Sequence, residues 1–145
     1  MSSIWGKTPR QSIEAECGLR GEHEVVSGCL RILDGDTRDA DLLLVLAGPA
    51  AEPVLAGRAG GLGGYWPRVW ATRGLLYTWD DRAVPTVIDA TADPSWRVRE
   101  MALRVIRHRT VGEAVEEAAR LQDDPVARVR QAASRALVAI TGARA

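Results

Sequence analysis

The sequence predicts an all-α protein: a right-handed α-solenoid of stacked antiparallel helix pairs behind an N-terminal helical cap. Three observations carry this. No stretch alternates apolar and polar residues as a half-buried strand would. Apolar residues recur at helical spacing between capping signals along most of the chain. A segment of the second half also recurs 31 residues further on. Asp93-Pro94-Ser95-Trp96-Arg97-Val98-Arg99-Glu100-Met101-Ala102-Leu103-Arg104-Val105-Ile106 aligns with Asp124-Pro125-Val126-Ala127-Arg128-Val129-Arg130-Gln131-Ala132-Ala133-Ser134-Arg135-Ala136-Leu137. One period earlier, Arg68, Ala71, Arg73 and Leu75 fall under Arg99, Ala102, Arg104 and Ile106. A period of this size built from helices marks stacked hairpins, because a single pair cannot bury its apolar face alone.

Taken in order, Thr8-Pro9-Arg10-Gln11 is a helix entry, with Thr at the N-cap, Pro at the first helical position and Gln completing a capping box. Gly18 and Gly21 punctuate. A second helix carries Val25, Val26, Cys29, Leu30 and Leu33 on one face, and Gly35 stops it. Asp39 or Asp41 caps a short apolar helix through Leu46, which Gly48-Pro49 breaks, and another short helix runs from about Pro49 to Ala56. Residues 57–64 are glycine-rich and read as an interhelical loop. They lack the Gly-Lys-Ser/Thr end of a phosphate loop and the preceding strand of a dinucleotide fingerprint. Asp80 or Asp81 caps the helix holding Val84 and Ile88. Asp93-Pro94 and Asp124-Pro125 each read as an N-cap followed by Pro at the first helical position, and Thr110-Val111-Gly112-Glu113 as a capping box.

The 145 residues fit one domain, long enough to bury a core without metal or disulfides. Net charge is zero, which speaks against a coat for nucleic acid or an anionic membrane. Residues 1–64 carry six basic and nine acidic side chains, and residues 65–145 thirteen and ten, so the halves balance at −3 and +3. Lys7 is the single lysine, and the remaining cations are arginines, which suit two-pronged recognition of carboxylates and phosphates. Cys17 and Cys29 lie at apolar helical positions and read as buried free thiols of a reducing compartment. No secretory signal is legible and the longest apolar run, Leu42 to Ala51, is too short to span a bilayer. The expectation is a cytoplasmic protein without membrane contact.

The repeat resembles the HEAT family, particularly its phycobilisome-lyase-like branch. Asp93, Val98, Arg99, Ala102 and Ile106, and then Asp124, Val129, Arg130, Ala133 and Leu137, match its pattern of a turn Asp, then Val-Arg, then small residues and a Leu in the second helix. Pro85 occupies its first-helix proline region, and the whole chain is similar to HEAT-repeat proteins of actinobacteria. The resemblance implies one domain over residues 1–145, with residues 1–48 as the cap and residues 49–145 as about three helix pairs. The first pair has Leu62 where the later ones have Asp. The resemblance also implies a structural ladder of Asp93, Arg99, Asp124 and Arg130 along the stack.

A second stripe is the candidate binding surface. Trp66, Trp70, Arg73 and Tyr77 share a helical face by spacing, and their equivalents are Arg97, Met101, Arg104 and His108, then Arg128, Ala132, Arg135 and Ala139. If second helices line the concave side, Trp66, Trp70, Arg73, Tyr77, Arg97, Arg104, Arg128 and Arg135 form a groove of aromatic and arginine anchors, the side chains that dominate protein interfaces. They also suit stacking on bases. Core packing is the competing reading for Trp70 and Tyr77.

Catalytic and metal patterns are not met. Cys17, His23 and Cys29 lack a zinc spacing, no nucleophile elbow occurs, and Asp80-Asp81 reads more simply as capping than as an acid/base pair. Neither cofactor nor metal is expected. The expectation is a non-enzymatic adaptor for a protein or peptide, acidic where it meets the arginines. The alternative is a nucleic-acid-binding protein, distantly similar to HEAT-like DNA glycosylases in using Trp66, Trp70, Arg73 and Asp80. A homodimer is also compatible, since a short stack has apolar ends.

Overall fold

A computed structural model describes residues 6–142, so the ends of the expected 1–145 domain lie outside the described residues. Among the described residues every regular element is helical. The chain divides into two compact units, residues 1–83 and residues 84–145.

In the first unit α1 (Pro9–Arg20) opens as the sequence indicates. The Thr8 hydroxyl accepts from the Gln11 N–H at 3.2 Å and the Gln11 side chain accepts from the Thr8 N–H at 2.9 Å. Gly18 does not punctuate; it continues the helix, and the stop is Gly21, whose φ of 92° suits a residue without Cβ. Helix α2 (Glu22–Leu33) buries Val25, Val26, Cys29 and Ile32, while Leu30 and Leu33 are half-buried. Asp39 is the cap of α3 (Ala40–Ala47): its carboxylate accepts from the Leu42 N–H at 3.0 Å and from Arg20 at 2.7 Å. Gly48–Ala50 form a 3-10 turn leading into α4 (Ala51–Leu55), so the break at Gly48-Pro49 is tight rather than open. Helix α5 (Trp66–Gly74) packs on α2 and α3. Helices α2, α3 and α5 approach closely at Gly74, where a Cβ would lie 2.9 Å from Leu46 Cδ2 and 3.2 Å from Cys29 Sγ.

The second unit comprises α6 (Val84–Ala90), α7 (Trp96–Arg109), α8 (Val115–Leu121) and α9 (Ala127–Gly142). Its core is Val87, Val98, Ala102, Leu103, Ile106, Ala118, Val129, Ala133, Ala136 and Ile140, with α7 and α8 each packed on α9. Small residues at 132, 133 and 136 give α9 a flat buried face that admits α7.

Three expected helix starts differ in the structure. Asp93 and Asp124 are not N-caps. Each sits further upstream and closes a turn, accepting from the N–H two residues on: Ser95 for Asp93 and Val126 for Asp124, both at 2.9 Å. The prolines therefore lie in the turns, outside the helices. Ser95 caps α7 through the Arg97 N–H at 3.3 Å. The Thr110 capping box is not formed either. Thr110 ends α7 in the left-handed conformation, φ 52°, with the Val111 N–H bonded to the Ile106 carbonyl. Its backbone serves the helix that precedes it, a Schellman-type ending. Val111 then enters a 3-10 turn, Gly112–Ala114.

Candidate functional site

The Asp-Pro turns of the second unit are each gripped by the arginine six residues after the Asp. Arg99 donates from Nη1 to the carbonyls of Asp93 and Pro94 at 2.9 and 3.1 Å. Arg130 does the same to Asp124 and Pro125 at 2.8 and 3.1 Å. Arg99 also reaches forward one repeat, Nε to Asp124 Oδ2 at 2.9 Å and Nη2 to Oδ1 at 3.2 Å. Burial pushes the Asp124 carboxyl up, but the hydrogen bonds from Arg99 and the Val126 N–H and the charges of Arg99 and Arg130 outweigh it and hold it below the usual carboxylate range. Thus Asp93, Arg99, Asp124 and Arg130 are all occupied in holding turns.

The stripe residues of the first unit are drawn inward. Trp70 is buried, and half-buried Trp66 stacks on it with ring centroids 6.2 Å apart and planes at 22°. Arg73 is half-buried and donates to the Leu46 carbonyl at 2.6 Å. Tyr77 lies beyond the end of α5 at Gly74, so helical spacing does not carry it onto the face of Trp66 and Trp70. It is half-buried with the Arg10 guanidinium 5.2 Å from its ring. Of these four, Trp70 is buried and Trp66, Arg73 and Tyr77 are half-buried.

The second unit differs. Arg104, Arg128 and Arg135 are exposed and line a groove of about 210 Å³ along α7 and α9. Arg107 and Glu100 line it too, and Leu103 and Ala132 are its buried apolar lining. Arg128 pairs with Glu100, Nε to Oε2 at 3.0 Å. Its guanidinium also lies 5.3 Å from the ring of Trp96, which has Arg97 at 4.6 Å. Arg104, Arg107 and Arg135 have no carboxylate partner among the described residues. The groove therefore concentrates four positive charges against one negative.

Arg107, Glu100 and Trp96 were missed by the sequence reading. The signal lay one position away. The row followed there, from Arg97 through Met101 to Arg104 and His108, passes through buried Met101. The row Glu100, Arg104, Arg107 has the same i, i+4, i+7 spacing and stays at the surface. On α9, Arg128, Gln131 and Arg135 complete the opposite wall.

The other polar groups considered from the sequence have structural roles. Arg82 holds Asp80 at 2.8 Å and also donates to Ser27 Oγ and the His23 carbonyl. The Arg82 hydrogen bond keeps the Asp80 carboxyl below its ordinary range, which does not suit a general acid. Asp81 accepts from the Trp79 indole at 3.2 Å. Cys17 contacts the Thr78 hydroxyl at 3.5 Å, and Cys29 is buried in the core. Among the described residues no three His, Cys, Asp or Glu side chains cluster as metal donors, and no helix is long and apolar enough to cross a membrane. A mostly apolar depression of about 250 Å³ lies between α1 and α3, lined by Ala15, Leu19, Leu44 and Val45, away from every site residue expected from the sequence. No family model, curated protein or solved structure matches the chain.

Proposed function

We propose that this chain is a non-enzymatic adaptor, a short HEAT-like stack that captures an acidic segment of a partner protein in the arginine groove of α7 and α9. One observation carries the reading: Arg104, Arg107 and Arg135 line one groove without a carboxylate partner among the described residues, while Arg128 takes Glu100. Gathering like charges costs free energy that an incoming anion recovers. The apolar lining of Leu103 and Ala132 lowers local screening and strengthens that attraction. The HEAT-like assignment is supported by the two Asp-Pro turns, which are gripped alike by Arg99 and Arg130 one repeat apart. Cytoplasmic location and the absence of a cofactor belong to the same proposal.

A second reading, a single-stranded nucleic-acid binder, draws on Trp96 with Arg97 and Arg128 beside its ring. Titrating labelled polyglutamate and a labelled single-stranded oligonucleotide into the protein separates the two. The adaptor reading expects polyglutamate to bind more tightly than the oligonucleotide at physiological salt. Tighter oligonucleotide binding, falling steeply as salt rises, would put the second reading first.

A further inference from the structure

We infer that the α7/α9 groove is built for a phosphoryl group carried on the partner segment, not for carboxylate side chains alone. This rests on the acidic-segment reading above and specifies what the groove selects. Arg128 is already matched by a carboxylate, Glu100, at 3.0 Å. The remaining guanidiniums are Arg104 and Arg107 from α7 and Arg135 from α9. One carboxylate brings a single charge and two oxygens, which one guanidinium fork satisfies. Three forks are therefore too many for one Asp or Glu side chain. A phosphate monoester brings close to two charges and three strong acceptor oxygens at neutral pH, which suits guanidiniums arriving from two walls.

The room available agrees with this. The groove holds about 210 Å³, against roughly 10–15 Å³ needed on the same measure to hold one water. A tetrahedral phosphoryl group and part of its peptide fit within it. The residue types agree as well. All four cations are arginines, whose planar forks fix oxygen positions, whereas an ammonium would act as a point charge. Glu100 adds discrimination. Its carboxylate already holds Arg128, so an incoming carboxylate gains that guanidinium only by displacing Glu100. A dianion engages the three remaining guanidiniums without displacing it.

The test uses the whole chain and three labelled peptide pools, degenerate around a central serine, glutamate or phosphoserine, read by fluorescence anisotropy. The phosphoserine pool is expected to bind about tenfold more tightly than the glutamate pool. Inorganic phosphate should displace it and acetate at the same ionic strength should not. Combining Arg107→Gln with Arg135→Gln should lower its affinity by about tenfold or more, and Arg120→Gln, outside the groove, should leave it unchanged. Equal affinity for the glutamate and phosphoserine pools, both lost in the double variant, would overturn the phosphoryl inference and leave the acidic-segment reading standing. No binding of either pool would overturn both.

Discussion

The Arg99 guanidinium and the Asp124 carboxylate, 25 positions apart, meet in a two-pronged hydrogen bond at 2.9 and 3.2 Å that ties the start of α7 to the turn before α9. The same arginine holds its own turn through two carbonyls. The Asp124 side chain is 4% exposed and that of Arg99 16%, so removing either partner leaves the other largely shielded from water. Breaking such a pair from one side costs about 3–5 kcal/mol. Asp124→Ala is expected to lower unfolding free energy by about 3 kcal/mol in chemical denaturation. A loss below about 0.5 kcal/mol would show that the pair is solvated.

The same carboxylate sets a pH dependence. Its folded-state pKa is depressed, so its contribution is fully present above the unfolded value of about 4 and is lost as pH falls through the lower folded value. Thermal midpoints of the wild type should therefore fall as pH drops below about 4. Asp124→Asn should show a shallower fall over the same window. Identical slopes would remove Asp124 from the acid transition.

Thr110 is a β-branched residue held at φ 52°, ψ 54° to end α7. L-residues pay roughly 1–2 kcal/mol for the left-handed conformation and glycine does not. Thr110→Gly is expected to stabilise by about 1 kcal/mol, less the greater freedom of glycine in the unfolded chain. An unchanged or lower midpoint would mean that the threonine side chain makes a compensating contact.

The two thiols should react unequally. Burial, with a smaller contribution from Cys17, pushes the Cys29 thiol up to about 12, whereas Cys17 is half-buried. Alkylation of the native protein near neutral pH should modify Cys17 first and leave Cys29 until the protein unfolds. Equal native rates for both would contradict the packing of Cys29 between α2 and α5.

Glu100 competes with any incoming carboxylate for Arg128, whose side chain is 66% exposed. Glu100→Gln should raise polyglutamate affinity by about threefold, in keeping with the modest worth of exposed pairs. A weaker complex would mean that Glu100 positions the arginines instead of competing for one.

The features legible in the sequence were those set by local backbone chemistry. Thr8 with Gln11, Asp39 and the stop at Gly35 follow from capping and φ preferences within a few residues. The repeat at Asp93 and Asp124 was visible because both turns need the same side chains. Details that depend on competition between neighbours were not legible. Thr110 could have begun one helix, but it ends another. Trp66 and Trp70 have the composition of an anchor, yet stack inward beside the core. The groove shares Arg104, Arg128 and Arg135 with the expected stripe, but Arg107 and Glu100 line it in place of Met101, whose side chain is buried.

The most direct measurement is polyglutamate affinity by fluorescence anisotropy for three proteins: wild type, Arg104→Glu combined with Arg135→Glu, and Arg120→Glu. All three substituted arginines are exposed, and the two variants put glutamate in place of arginine inside and outside the groove. Loss of about tenfold or more in the groove variant, with far smaller loss in Arg120→Glu and unchanged helicity in both, is the expected result. Equal losses in the two variants would show that binding follows overall charge, and no loss in the groove variant would show that the arginine groove is not the binding surface.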